Sequence, residues 1–378
     1  MSFDKKDDKL KTAWIWIAFI IAILGAILFT TYGMMLGPIS HDHAAWSSFG
    51  SLLSGFFMVA STGATVATLL FLAHQNRQIQ QTNEDQQKVT QQQLAAMNFE
   101  QYINHRRLFM DRLRELEDSF ENKFVFVDGE NLYNRIFPSN SPVHLDFKVE
   151  PARSAEHENL LGRMTYRLGK LDEFLDQPTW QMNDTRRLVG LLVEVYGELG
   201  IRWTGEACDG DLLFFKKHTG VNIYSLDEFL HLATTVVNAF LFYSGNPPFE
   251  GLKKSLMRYP REALMEYFLD NKKDREALEV LKVIPGLGII ERLYFNLDSL
   301  RAEDLSWILK NSYMILMEIF RSREDVKKLK DRVFYEHFVS VGCSETSLAL
   351  SNMKADDDDY PLMKRCHEDF NLLLTIGL

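Results

Sequence analysis

Two long uncharged stretches lie one directly after the other near the start of the chain. No charged residue lies between Lys11 and Asp42, or between Asp42 and Arg77. A helix that spans a bilayer needs about 20 consecutive, mostly apolar residues, and each stretch is longer than that. The pattern therefore predicts two transmembrane helices, residues 13–36 and 46–73, joined by a short turn, residues 37–45. A cleaved signal peptide fits poorly, because the first apolar run is too long and a second follows it.

The second predicted span carries hydroxyl groups along one side. They follow alternating four- and three-residue steps, with Met58 filling one gap: Ser47, Ser51, Ser54, Ser61, Thr65 and Thr68. This spacing places them on one face of a helix. The remaining large residues are left to face lipid or the first helix: Phe49, Leu52, Phe56, Val59, Val66 and Leu70. The hydroxyl groups either line a wet path between assembled copies, or allow close helix packing while they bond back to their own helix.

Basic residues predict how the two helices are oriented. Four lysines lie in the tail before the first span: Lys5, Lys6, Lys9 and Lys11. More basic residues follow the second span: Arg77, Lys88, Arg106 and Arg107. The turn between the spans has no Lys or Arg. By the positive-inside rule, residues 1–12 form a cytoplasmic tail, both termini are cytoplasmic and the turn is periplasmic. We therefore expect a multi-pass protein of the bacterial inner membrane, with the lipid bilayer as a partner.

Residues 74–122 are predicted to be a Gln-rich juxtamembrane helix or stalk. Up to Gln93 the segment has almost no apolar residues beyond Ile79 and Val89, and it lacks Pro and Gly, which favours a solvated helix continuing from the second span. Apolar residues then follow coiled-coil spacing, interrupted by Arg106 and Glu117: Ala96, Phe99, Ile103, Met110, Leu113 and Phe120. This helix either packs on the soluble domain or is a short self-associating stalk that makes the protein a homo-oligomer.

Residues 123–378 are predicted to form a mainly helical cytoplasmic domain, so the fold class is an all-α membrane protein with little strand. The expected helices cover 154–176, 183–198, 261–271, 274–283, 302–321 and 324–339. Gly200 is a plausible stop after the second of these, and Ser225 with Glu228 predicts a capping box ahead of another. The best strand signals are Phe124 to Val127 and Leu212 to Phe215.

Composition narrows the possible partners. The formal net charge of -10 argues against a broad surface that coats nucleic acid, although local basic patches occur. Cys208, Cys343 and Cys366 are the three cysteines, and no two lie close in sequence. This usage suits a reducing cytoplasm and gives no zinc pattern.

No pattern of catalytic residues emerges from the sequence. A phosphate-binding loop, a nucleophile elbow and a metalloprotease helix are all missing. His41, Asp42 and His43 lie in the predicted turn, where adjacent polar residues are usually just solvated, and the run from Asp356 to Asp359 lacks the spacing of a calcium loop. We therefore expect no enzyme activity, no metal, no cofactor and no small-molecule substrate. An unrecognised hydrolase would need catalytic residues that the sequence does not reveal.

Two basic clusters are candidates for contact with a partner or with lipid. Arg106 and Arg107, together with Arg112 and Arg114, lie near the membrane, where they can attract anionic headgroups or pair with neighbouring acids four residues away along the helix. Lys327 and Lys328 lie on a predicted helix that also carries Glu324, Asp325 and Asp331. This second cluster is either a solvated helix face or a docking surface for a nucleic acid or an acidic protein.

The order of these segments resembles a known group. Two spans, a Gln-rich helix and then the run Met97 to Arg106 (MNFEQYINHR) resemble the bacterial abortive-infection membrane proteins, and more closely the two-transmembrane effector of retron antiphage systems. Asn104, His105 and Arg106 carry part of this similarity, as does Leu132-Tyr133 leading to Ile136-Phe137-Pro138. The resemblance covers roughly the first 140 residues.

The resemblance implies a role in antiviral defence. A retron pairs a reverse transcriptase with a structured RNA, part of which is copied into a branched RNA–DNA molecule. These partners would hold the effector inactive until phage infection releases it, after which it would permeabilise the inner membrane as an abortive-infection toxin. A different class also fits the sequence: a membrane-anchored cytoplasmic sensor or scaffold with no pore activity.

Overall fold

The computed structural model describes residues 4–36, 42–154, 158–177, 179–252, 258–270, 277–302 and 309–377. The protein is mostly helical, with about 72% helix and 7% strand, as the sequence predicts. The chain divides into two compact units, residues 1–95 and 96–378. The second unit therefore begins inside the segment 74–122 that the sequence marks as a stalk.

The first unit contains helix α1, Asp4–Leu36, and most of helix α2, His43–Ser119. Both helices are long and apolar enough to cross a bilayer, judged by length and composition, and the apolar part of α1 covers Ile15–Met35. Most large apolar side chains in these spans are exposed. Exposed apolar surface of this extent is what a lipid-facing helix presents. The predicted turn lies largely outside the described residues, since only 42–45 of it are described.

Helix α1 contacts α2 through aromatic and small residues. The ring of Phe56 lies against Gly25, where an added Cβ would be 3.1 Å from it. The rings of Tyr32 and Phe49 have centroids 4.9 Å apart, and the Tyr32 hydroxyl donates to the carbonyl of Ala45 at 3.3 Å. Phe49 and Phe56 thus contact the first helix, which is one of the two environments that the sequence predicts for them.

Helix α2 continues without a break through the Gln-rich segment to Ser119. In the second unit its buried face consists of His105, Phe109, Leu113 and Leu116. Of the residues at the predicted coiled-coil spacing, Phe99 and Ile103 are exposed, whereas Met110 and Phe120 pack against the core. This end of α2 is therefore an amphipathic helix that packs on the core of the second unit. Leu113 is buried as predicted, and the rest of the buried face is shifted to His105, Phe109 and Leu116.

The second unit is built from further helices around one hydrophobic core. They are α3 Gly129–Ile136, α4 Leu160–Leu175, α5 Met182–Leu199, α6 Leu226–Tyr243, α7 Arg258–Asp270, α8 Leu287–Ala302, α9 Lys310–Ile319, α10 Arg323–Lys327, α11 Arg332–Asn352 and α12 Tyr360–Ile376. A 3-10 turn, Lys328–Lys330, joins α10 to α11. Helices α11 and α12 pack closely, with Gly342 directly against the buried ring of Phe370.

Five short strands form two small antiparallel sheets among the described residues. They are β1 Phe124–Phe126, β2 Ile201–Trp203, β3 Asp211–Phe214, β4 Lys217–Asn222 and β5 Leu278–Val280. In one sheet β1 pairs with β2, and in the other β3 lies between β4 and β5. The two predicted strands are confirmed as β1 and β3. Their partners were not predicted.

Several predicted helices differ from the observed ones. The prediction of a helix over 274–283 is wrong for its described part, because Leu278–Val280 pairs with β3 as a strand. The prediction over 324–339 is wrong in its continuity, because Asp331 ends the 3-10 turn and caps a new helix by accepting the backbone N–H of Phe334 at 2.9 Å. Of the helix predicted over 302–321, the structure shows the shorter α9, Lys310–Ile319, and residues 303–308 lie outside the described residues.

Helix ends differ as well. The helix predicted from Ser154 begins at Leu160, where Asn159 accepts the backbone N–H of Gly162 at 2.8 Å. The helix predicted over 183–198 is confirmed as α5, with Gly200 in the left-handed region at φ +66. The prediction of a capping box at Ser225 is wrong, because the Ser225 side chain makes no capping hydrogen bond to α6. Its hydroxyl oxygen instead accepts the backbone N–H of Arg323 at 2.9 Å. Helices α3, α8 and α12 were not predicted.

Candidate functional site: the hydroxyl face of α2

The six predicted hydroxyl residues lie on one exposed face of α2. Ser47, Ser51, Ser54, Ser61, Thr65 and Thr68 are all exposed, as is Met58 between them. They share a face because four- and three-residue steps advance an α-helix by close to one full turn. Among the described residues of the first unit no other residue covers this face, and it carries no charged group.

Helix α1 packs on a different side of α2. Its contacts are with Phe49 and Phe56, and Ala67 is buried further along the same side. Phe49 is two residues from both Ser47 and Ser51, and two residues turn an α-helix by about 200°. The hydroxyl face therefore points away from α1, which leaves it open to another contact.

Several of the hydroxyl groups bond back to their own helix. The hydroxyl of Ser51 donates to the carbonyl of Ser47 at 3.1 Å, that of Thr65 to Ser61 at 2.9 Å, and that of Thr68 to Ala64 at 2.9 Å. These donors are satisfied without water or a partner, which lowers the cost of placing them in an apolar medium. Each oxygen keeps lone pairs that can still accept a hydrogen bond.

The first basic cluster is paired with neighbouring groups. Arg106 forms an ion pair with Glu130, and the Nη2 of Arg107 donates to the side-chain oxygen of Asn104 at 3.1 Å. Arg112 pairs with Glu115 at 2.8 Å and Arg114 with Asp111 at 2.9 Å, each across three residues of the helix. The pairing alternative is found, with three-residue rather than four-residue spacing.

The second basic cluster is also paired. Lys327 lies 2.8 Å from Glu324, and Lys328 lies 2.9 Å from Asp325 and 3.1 Å from Glu318. The hydrogen bond to Glu324 raises the pKa of Lys327 above its ordinary value. Any acidic partner at this surface must compete with acidic side chains already in place.

A pocket of about 230 Å³ lies beside Lys327. Its lining includes Lys123, Trp203, Cys208, Arg323 and Lys327, with Glu206 and Glu324 among the other lining residues. Basic and acidic groups nearly balance, and burial raises the pKa of the Cys208 thiol, which disfavours the reactive thiolate. The pocket therefore offers neither a strong anion site nor an activated nucleophile.

A buried polar network holds α8 against the strand region. Glu291 is fully buried and accepts hydrogen bonds from the Tyr224 hydroxyl at 2.6 Å and from Lys282. Burial raises the pKa of Glu291. Asp209 accepts the backbone N–H of Ile284 at 2.9 Å just before α8. The sequence could not reveal this network, because its members lie far apart along the chain.

No group of three or more His, Cys, Asp and Glu side chains that could hold a metal ion occurs among the described residues. Of the three turn residues considered as a metal site, His41 lies outside the described residues, while Asp42 and His43 are exposed at the start of α2.

The runs 97–106 and 132–138, on which the expected resemblance rests, meet in the core of the second unit. His105 is hydrogen-bonded to Tyr133, and its ring lies 4.9 Å from that of Phe137, centroid to centroid. The Tyr243 hydroxyl donates to the backbone carbonyl of His105. His105, Tyr133 and Phe137 are buried, so these three side chains serve packing rather than an exposed binding surface.

No protein-family model matches this chain, and neither a curated protein nor a solved structure does.

Proposed function

We propose that this chain is the toxic membrane effector of an antiphage retron system. In this proposal a reverse transcriptase and its RNA–DNA molecule hold it inactive, and its release permeabilises the inner membrane and aborts the infection. The observation that carries the proposal is the bare hydroxyl face of α2, which points away from α1. The resemblance of the first 140 or so residues to retron effectors supplies the biological setting.

The proposed topology has both termini in the cytoplasm. Basic residues flank the outer ends of the two apolar helices, and residues 37–45 between them have none. Insertion in this orientation places the second unit in the cytoplasm, where a reverse transcriptase and nucleic acid are found. Arg106, Arg107, Lys327 and Lys328 are the proposed contacts with these partners or with lipid headgroups.

Permeabilisation follows from assembly of several copies. Surrounded by lipid alone, the hydroxyl face gains nothing beyond its internal hydrogen bonds. When several α2 helices turn this face inward, the remaining lone pairs of Ser51, Thr65 and Thr68 can accept hydrogen bonds from water along a shared path. The apolar residues on the other sides of the helix stay in contact with α1 and lipid.

The second candidate function is a membrane-anchored sensor or scaffold. The hydroxyl groups that bond back to their own helix favour it, because such groups tolerate lipid without any pore. In that case the two apolar helices only anchor the second unit.

A triple substitution separates the two candidates. Changing Ser51, Ser54 and Ser61 to Leu keeps the helix apolar, so insertion should survive, while the bulk closes a wet path. The control is Leu52→Ile with Val59→Leu and Val66→Leu, since these side chains are exposed off the hydroxyl face. We expect the serine triple to lose membrane depolarisation and phage protection, and the control to keep both. Normal depolarisation in the serine triple would reject a path lined by the hydroxyl face, whereas the absence of depolarisation by the unsubstituted chain would favour the anchor.

A truncation tests whether killing requires the membrane. A chain that begins at Gln75 lacks both apolar helices and should be harmless when expressed at the same level. If it still kills cells, the toxic act is enzymatic or directed at nucleic acid. Co-expression of the full chain with a retron reverse transcriptase and its RNA should suppress killing if these are its inhibitors.

A further inference from the structure

The hydroxyl stripe of α2 does not stop where the apolar residues end. The same alternation of three- and four-residue steps continues from Thr68 through Leu72, Gln75, Ile79, Thr82, Gln86, Val89 and Gln93. Ile79 and Val89 are the two aliphatic residues between His74 and Gln93, and both lie on this continuation. Their side chains are 56% and 50% exposed, so no neighbour covers them in the first unit.

Charged residues of the Gln-rich segment avoid this stripe. Arg77 and Glu84 continue the seven-residue spacing of Phe49 and Phe56, the residues that contact α1. Lys88 lies on the same side, four residues after Glu84, and is 3.6 Å from Asp85. Arg77, Glu84 and Lys88 lie on the far side and Asp85 flanks the stripe, so none of the stripe positions themselves, from Ser47 to Gln93, is charged.

We propose that α2 of a second copy of this chain docks along the stripe, forming a parallel coiled coil from Ser47 to Gln93. This inference rests on the membrane insertion in the proposed function, and it names the partner and the surface that would assemble the pore. The repeat of seven residues falls short of two full turns of a straight helix by about 20°, so helices that keep it in contact wind into a left-handed supercoil.

A second copy is the occupant that matches the stripe in length and direction. The partner must present small hydroxyl residues in the apolar part and then glutamine with sparse aliphatic residues, without a break between them. Helix α2 is itself such a rod, with 77 residues in one helix. Copies inserted with the same topology run parallel, and the bilayer fixes their depth. Identical residues therefore lie at the same level.

Because identical residues of the two copies lie at the same depth, each glutamine of the stripe faces the same glutamine of the other copy. A side-chain amide carries both donors and acceptors, so Gln86 of one copy can bond to Gln86 of the next. A polar residue at a core position of a coiled coil sets the register at a cost in stability. In the Gln-rich part Ile79 and Val89 are the only aliphatic core residues, so the pairing there is weak and depends on the high local concentration within a membrane. Inhibitory partners could then control it.

Disulfide trapping tests the surface in the full-length chain in native membranes. The background is Cys343→Ser, since Cys208 and Cys366 are buried. Single changes Ile79→Cys, Gln86→Cys and Val89→Cys sample the stripe, while Gln81→Cys and Gln91→Cys sample the opposite side. On mild oxidation, we expect on the order of tenfold more linked dimer at the stripe positions, because a disulfide requires Cα atoms within about 7 Å. Equal yields on both sides, higher yields at Gln81 and Gln91, or no dimer at any position would overturn the proposal.

A charge test gives an independent reading. Ile79→Lys with Val89→Lys places cations on the stripe and should abolish the Gln86→Cys dimer by repulsion. The matched control, Gln81→Lys with Gln91→Lys, adds the same charge to the other side and should leave the dimer unchanged. A dimer that forms equally in both double-lysine variants would contradict docking along the stripe.

The outcomes distinguish this inference from the proposed function. Stripe-specific dimers in cells whose membranes stay polarised would uphold the coiled coil and reject the pore. Depolarisation by a chain that forms no stripe-specific dimer would do the reverse.

Discussion

The hydroxyl oxygen of Tyr133 lies 2.9 Å from Nδ1 of His105, and this contact joins α2 to α3 in the core of the second unit. Nδ2 of Asn140 donates to the same hydroxyl at 3.3 Å. Because His105 is buried, its ring nitrogen depends on this neighbour for a hydrogen bond. The contact brings together two residues that lie 28 positions apart in the sequence.

Tyr133→Phe should destabilise the protein. Removing the hydroxyl leaves a buried ring nitrogen of His105 without its partner, and such a loss costs about 1–3 kcal/mol. Tyr102→Phe is the control, because Tyr102 contacts Tyr133 by its ring, with centroids 6.3 Å apart, and that contact is kept. Urea unfolding of the full-length chain in detergent, followed by tryptophan fluorescence, measures both. Equal unfolding midpoints for the two variants would contradict the prediction.

Stability should fall as the pH drops through 6.5, and His105 should account for part of the fall. Burial lowers the pKa of His105 from its ordinary value of 6.5. The unfolded chain therefore binds a proton at a higher pH than the folded chain does, so protonation favours unfolding between the folded pKa and 6.5. Above pH 6.5 His105 does not contribute to the change of stability with pH. His105→Gln should flatten the dependence of the urea midpoint on pH below 6.5. An unchanged slope would show that other groups cause it.

Glu198→Gln should lower the free energy of unfolding substantially. Its carboxylate accepts from Arg135 at 2.8 Å, Arg163 at 3.0 Å and Arg167 at 2.6 Å. Burial by itself raises the pKa of Glu198, but the hydrogen bonds from Arg163 and Arg167 outweigh it and lower the pKa overall. Removing this partly buried charge should cost about 3 kcal/mol. Its contribution is also lost as the pH falls below 4.5, the ordinary value.

Glu194→Gln is the matched control for Glu198→Gln. Glu194 lies 3.1 Å from Arg167, but its side chain is 54% exposed. Exposed ion pairs contribute about 1 kcal/mol or less. A loss of stability in Glu194→Gln as large as that in Glu198→Gln would show that burial of the carboxylate does not decide the cost.

Gly342→Ala should destabilise the packing of α11 on α12. An added Cβ would lie 2.1 Å from Cε1 of Phe370, whose ring is fully buried, so the ring or the helix would have to shift. Overpacking of this kind costs about 1–3 kcal/mol. Gly190→Ala in α5 meets nothing within 4 Å, so it should instead stabilise the helix by about 1 kcal/mol. Urea midpoints shifting in opposite directions are the expected result. A rise in both would contradict the close contact.

Ala44→Cys should react with a membrane-impermeant thiol reagent in intact spheroplasts, and Gln80→Cys should not. This follows from the proposed topology, which puts Ala44 outside and Gln80 inside. The chain carries Cys343→Ser and is expressed at a level too low to depolarise the cells. After detergent lysis both positions should react, which controls for access. Labelling of Gln80→Cys alone in intact spheroplasts would reverse the topology.

The sequence by itself determined the features that depend on neighbouring residues. Uncharged runs define the two apolar helices, and the hydroxyl spacing places six side chains on one face, because both are properties of a single helix. The helix ending before Gly200 was equally accessible, since a glycine with positive φ is a local stop signal. The strands β1 and β3 were also found, as short apolar runs.

Only the tertiary structure decided what depends on partners distant in sequence. Leu278–Val280 is a strand because β3 offers it backbone hydrogen bonds, although its sequence also suits a helix. The face of α2 that buries Phe109 and Leu116 was decided by the core that it meets, since apolar stripes at neighbouring positions satisfy the same spacing. The arginines around Glu198 likewise come from helices distant in sequence, Arg135 from α3 and Arg163 and Arg167 from α4, and a charged residue shows its burial only once the chain has folded around it.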